Sequence, residues 1–116
     1  MTDKDFIIGI YESVINENNS IYYDMFTKAN IDEAKNTYWK EAVRFFSNLS
    51  DEDKVIFFKI LRQITIDTVS NILGILDGVS TIEGYDGFFK LLVEGNDTPI
   101  NGDLLDLFLE YVEDNR

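Results

Sequence analysis

Cysteine and histidine are both absent from this chain of 116 residues. Without thiols the fold owes nothing to disulfides, and thiolate metal sites and cysteine nucleophiles are excluded. Without imidazole it lacks the commonest metal ligand and the one side chain that titrates, unperturbed, near neutral pH. Any chemistry falls to carboxylates, Lys, Tyr and hydroxyls, and neither metal nor cofactor is expected. Proline occurs once, at Pro99, and there is no internal repeat or low-complexity tract. No nucleotide-binding glycine loop, nucleophile elbow or metalloprotease helix is present. No apolar run reaches the roughly 20 residues that span a bilayer. Met1-Thr2-Asp3-Lys4-Asp5 carries acids where a secretory signal carries net positive charge. A cytoplasmic protein without membrane attachment is therefore expected.

Basic residues are also scarce, 10 against 22 acids, for a net charge of −12. Residues 1–66 hold 11 acids and 8 bases (net −3), whereas 67–116 hold 11 acids with only Lys90 and Arg116 (net −9). Such a field repels nucleic-acid phosphates and favours a basic protein partner; the same charge also serves plain solubility.

What is plentiful is apolar and aromatic surface, 45% and 14% of the residues, enough to fold one domain over 1–116. Thr2 with Asp5 reads as the cap of a first helix, whose Ile7, Ile8, Tyr11, Val14 and Ile15 recur at helical spacing. The polar pair Asn18-Asn19 predicts a break near Glu17, with a short helix from Ser20 carrying Tyr22, Phe26 and Ala29 on one face. Asn30 with Glu33 signals the next start. Its core stripe is Ala34, Tyr38, Ala42, Phe45 and Leu49, widened by Trp39, Val43 and Phe46. Ser50, followed by Asp51-Glu52-Asp53, is the clearest cap in the chain. It opens a helix of about 26 residues ending at Asp77-Gly78, where Gly78 suits a left-handed position.

On that long helix, Phe57, Phe58, Leu61, Ile64, Thr65, Thr68, Val69, Ile72, Ile75 and Leu76 form the expected inner arc. Lys59, Gln63, Asp67, Ser70, Asn71, Gly74 and Asp77 form the opposite stripe. Residues 79–87 read as a loop. Phe89, Leu91 and Val93 alternate inward in a possible β-hairpin over 88–100, turning at Gly95-Asn96-Asp97; a helical turn fits nearly as well. Asn101-Gly102-Asp103 opens a terminal amphipathic helix with Leu104, Leu105, Leu107, Phe108, Tyr111 and Val112 inward. The fold expected is mainly α, a helical bundle around one long central helix.

Several constellations could carry function. Gln63, Asp67, Ser70 and Asn71 share one helix face and could hydrogen-bond a ligand, or simply be solvated. Asp77, Glu83 and Asp86 put oxygen donors near glycines, but without the spacing of an EF-hand. The outer face of the last helix, Asp103, Asp106, Glu110, Glu113 and Asp114, joins Glu94 and Asp97 in one negative surface suited to a basic partner. Paired rings at Tyr22-Tyr23, Tyr38-Trp39, Phe45-Phe46, Phe57-Phe58 and Phe88-Phe89 fill a core or, where one ring is left outside, make a homodimer surface.

The stretch from Asp67 to the C-terminus, with Ile75-Leu76-Asp77-Gly78, the loop, Phe88 to Val93 and the acidic helix, resembles small acidic bacterial proteins of uncharacterised families and the immunity proteins that neutralise toxins. That resemblance implies binding of a basic toxin surface, with carboxylates acting by steering and interface pairing, and it singles out no residue. The expected function is accordingly non-catalytic protein binding. Two alternatives stand beside it: a ligand-binding or carboxylate-based enzyme using the polar stripe, and a self-associating structural protein.

Overall fold

The structure, a computed structural model, describes residues 1–28 and 36–116. It is mainly helical: α1 (Asp3–Ile10), a π-wound segment (Tyr11–Glu17), α2 (Asn18–Thr27), α3 (Thr37–Ser47), α4 (Asp51–Leu76) and α5 (Leu104–Asp114). There is no strand among the described residues, and no helix among them is long and apolar enough to cross a membrane.

Thr2 and Asp5 form a reciprocal capping box, each side chain accepting the other's backbone N–H at 3.1 Å. The break expected at Asn18-Asn19 does not occur. Helical dihedrals continue through Tyr11 and Asn18, so α1, the π segment and α2 form one unbroken rod. The asparagines are absorbed within it: Asn16 Nδ2 donates to Glu12 at 2.9 Å, and Asn19 Nδ2 donates to the Ile15 carbonyl at 2.6 Å. The expected start at Asn30 lies outside the described residues. α3 is capped by Asn36, whose Oδ1 accepts the Trp39 N–H. Its inner face is the set that sequence spacing treated as secondary: Val43 and Phe46 are buried, while Tyr38 and Phe45 point outward.

α4 has the expected length and cap, with Ser50 Oγ accepting the Asp53 N–H at 3.1 Å. Its C-terminus closes with the Val79 N–H on the Gly74 carbonyl and the Gly78 N–H on the Ile75 carbonyl, Gly78 standing at φ +79°. This is the reciprocal closure that glycine favours at a helix end. The covered flank differs from the expected arc. Ile66, Leu73 and Gly74 are buried, whereas Ile64, Thr68 and Ile72 face outward. α4 is apolar over most of its circumference, so periodicity alone could not choose the flank; the α1 rod and α5 choose it by packing there. Gly74 lies within that contact, with Leu105 at ordinary van der Waals distance, 3.5 Å, from where a Cβ would stand.

Two apolar clusters are strung along α4. The first joins Ile7, Tyr11, Ile15, Ile66, Leu73, Leu104, Phe108 and Val112 from the α1 rod, α4 and α5. The second is aromatic. Phe26 of α2 sits 5.0 to 5.2 Å from Trp39, Phe46 and Phe57, ring to ring. Arg62 lies between the clusters, donating to Tyr11 Oη at 2.7 Å and Asn16 Oδ1 at 2.8 Å. It thereby joins the π-wound turn to α4.

The expected hairpin is replaced by an irregular clasp. The chain reverses through Gly95 at φ +89°, and the Ile100 N–H pairs with the Leu91 carbonyl at 2.9 Å. The next rung is taken by a side chain: Asn101 Oδ1 accepts the Leu91 N–H at 2.7 Å, and Asn101 Nδ2 donates to the carbonyls of Leu76 and Phe89. Pro99, with no N–H, cannot extend a ladder. Leu91 and Val93 nonetheless point inward as the alternation predicts, and Phe89 lies near the surface.

Asn101→Ala leaves one amide and two carbonyls unpaired and should lower stability by about 2 kcal/mol. Ser50→Ala, which removes only a cap, should cost about 1 kcal/mol. Urea denaturation followed by circular dichroism checks both, and equal small losses would contradict the ranking.

Candidate functional site

α5 is held from two sides. Leu104, Phe108 and Val112 are almost fully enclosed in the core and fix its rotation. Its N-terminus is pinned from α4: Asp77 Oδ1 accepts the Gly102 N–H at 2.6 Å, and Oδ2 accepts the Leu105 N–H at 2.7 Å. Asp103, the residue just before α5, makes no capping bond, because its backbone (φ −120°, ψ 13°) is not extended as a capping residue requires. The carboxylate that serves is that of Asp77, 28 residues before Leu105. Asp77 is thus removed from the loop carboxylates singled out in the sequence, and Glu83 and Asp86 are left exposed.

With its apolar face fixed inward, α5 presents Asp106, Glu110, Glu113 and Asp114 to solvent, together with Asp103 at its start. Glu113 pairs with Arg116 at 3.1 Å, an exposed pair of small energetic weight. Among the described residues no other ion pair involves this face. At the α5 N-terminus it opens into a broad recess of about 670 Å³, bounded by Asp3, the loop 95–101 and Asp103. Asp97 lines the recess and exposed Glu94 adjoins it. Asp3 is the residue that sequence reasoning missed. No spacing signal links the first turn of α1 to residues some 95 positions later; packing of α1 on α5 brings them together. The Asn96 side chain also reaches the Met1 carbonyl at 3.4 Å. Three carboxylates line the recess, yet among the described residues no group of three acids is placed to hold a metal ion.

The polar stripe of α4 is only partly gathered. Gln63 Nε2 donates to Asp67 Oδ1 at 2.9 Å on an exposed face. The Ser70 hydroxyl is committed to the Ile66 carbonyl at 2.8 Å, and Asn71 is exposed. Two of the ring pairs split as helical geometry requires, Trp39 and Phe46 turning inward while Tyr38 and Phe45 turn out; Tyr22 and Tyr23 are both exposed, as are Phe88 and Phe89, and Phe57 and Phe58 are both half-buried.

Near the recess, Asp5 has its pKa lowered, first by the hydrogen bond from the Thr2 backbone N–H and second by the Thr2 hydroxyl. Comparison with protein-family models, with curated proteins and with solved structures found no match to this chain. The resemblance to toxin-neutralising proteins thus has no matched relative behind it.

Because Asp5 is more acidic folded than unfolded, its contribution to stability is complete above the ordinary carboxylate value. It is lost as pH falls through the lowered folded value. In an NMR titration, the Asp5 carboxyl should therefore show a midpoint below the ordinary value. Thr2→Pro, which deletes the donating N–H, should raise that midpoint; an unshifted midpoint in both chains would contradict the capping box.

Proposed function

We propose that this chain is a non-catalytic protein-binding module whose acidic C-terminal half seats a basic partner surface. The observation that carries this reading is the continuity of the recess at Asp3, Asp97 and Asp103 with the outer face of α5. It presents exposed carboxylates on a helix whose inner face is locked in the core. Lysine or arginine side chains entering the recess would meet several carboxylates at once. Glu94, Asp103, Asp106, Glu110 and Glu113 would steer the approach and fix the register. By covering a basic surface such a module would block it, which is how an immunity-type inhibitor acts. A fixed, exposed carboxylate face also relieves its own like-charge repulsion on binding.

A lysine-rich peptide, titrated calorimetrically, is the probe. Its affinity should fall as salt rises, because exposed charges are screened over roughly 10 Å at 0.1 M ionic strength. Asp106→Lys and Glu110→Lys should each weaken binding by about fivefold, or about 1 kcal/mol. Binding that ignores both salt and these reversals would contradict the proposal.

A further inference from the structure

Sequence periodicity expected Ile64, Thr68 and Ile72 to be buried in α4, but they face outward. With Ile56 and Ile60 they form an unbroken i, i+4 row, and each of its four isoleucines is between 52% and 56% exposed. The row runs about 24 Å along the helix but winds about 160° around it, so one neighbour can cover only the stretch from Ile56 through Ile60 to Ile64, about 12 Å. Phe45 of α3, 60% exposed, extends it sideways through Phe57, with ring centroids 6.3 Å apart. The result is an apolar ridge over Ile56, Ile60 and Ile64, joined by Phe57 and Phe45 and bordered by Gln63 and Asp67, with no covering element among the described residues.

The whole molecule carries surplus surface. Its accessible area is 8309 Å², against about 6,500 Å² for a compact monomer of this mass. Its radius of gyration is 17.9 Å, against about 13 Å for a compact domain of this length. The surplus, about 1,800 Å², belongs to the elongated molecule as a whole, and it is larger than the roughly 800 Å² that each partner buries in a standard stable interface.

We propose that a second copy of this chain covers the ridge, α4 packing against α4 about a two-fold axis. The i, i+4 row is the ridge that interdigitates with its own kind when helices cross at about −50°. A two-fold dimer uses the same patch on both copies, which one self-complementary ridge satisfies. Charge permits the approach: residues 51–66 carry three acids and three bases, Asp67 at the border of the ridge shares its carboxylate with Gln63, and the rest of the surplus negative charge lies farther along the chain. A strongly basic partner finds no complementary charge there, and an anionic membrane is repelled by the −12 of the whole chain.

Sedimentation equilibrium of the full chain tests this. A dimer of twice 13.4 kDa is expected, retained when salt is added, since burial of apolar surface is not screened. That salt response separates it from the binding proposed for the acidic face, so either can fail alone. The Ile60→Asp and Ile64→Asp double variant should keep its helical circular dichroism and raise the dimer dissociation constant by about 100-fold or more. As a second measurement, Ile60→Cys or Ile64→Cys, the sole cysteine in its chain, should link two copies under mild oxidation, whereas Ser13→Cys on the exposed side of the π segment should not. A monomer at every concentration overturns the proposal. So does a dimer indifferent to the two aspartates, or cross-linking no more efficient at 60 and 64 than at 13.

Discussion

Asn101 and Asp77 together hold the C-terminal half of the molecule in register. Asn101 uses both ends of its amide to join the end of α4, the returning segment at Phe89 and Leu91, and the approach to α5. Asp77, one residue beyond α4, accepts the N–H of Gly102 just before α5 and that of Leu105 in its first turn. A carboxylate there satisfies donors that would otherwise lack partners and sits favourably at the positive end of the helix dipole. With α5 anchored, Leu104, Phe108 and Val112 enter the core, and the carboxylates on the opposite face have one direction left to point. The acidic surface follows from the clasp.

α4 is the spine that the rest shares. Near its C-terminal end it completes a mixed aliphatic and aromatic core with the α1 rod and α5; near its N-terminal end it meets the rings of α2 and α3. Placing the clusters end to end makes the molecule long, 52 × 34 × 25 Å. Among the described residues it also leaves the outward side of α4 without a neighbour. At the junction Arg62 is held by Tyr11 and Asn16, on a π-wound turn of a kind that often marks functional or strained positions. The acidic face and the isoleucine ridge lie on different elements, so one chain can present both.

Local signals were legible where one short stretch decides the outcome. The caps at Thr2 and Ser50, the left-handed Gly78 and the length of α4 could be read from neighbours within a turn. So could the inward residues of α1 and α5, whose apolar stripes are narrow. The covered flank of α4 could not, because isoleucine occurs on nearly every side of it and only tertiary contact selects among them. Asn18 and Asn19 read as a stop, yet the i−4 carbonyl bond of Asn19 lets the helix run on. The cap of α5 was invisible for a related reason: Asn101-Gly102-Asp103 looks like a complete local signal, while the capping carboxylate arrives from Asp77. Asp3 at the recess belongs with these long-range cases. The α5 acids were found because an outer helix face follows from its inner one.

Native-state hydrogen exchange at Leu91, Gly102 and Leu105 measures the clasp directly. These amides lie outside regular strands or at a helix start, where local structure alone gives little protection. If Asn101 and Asp77 hold them, they should exchange as slowly as the amides of Phe108 and Val112 inside α5, and Asp77→Ala should release Gly102 and Leu105 together. Exchange at ordinary loop rates in the unaltered chain would contradict the account.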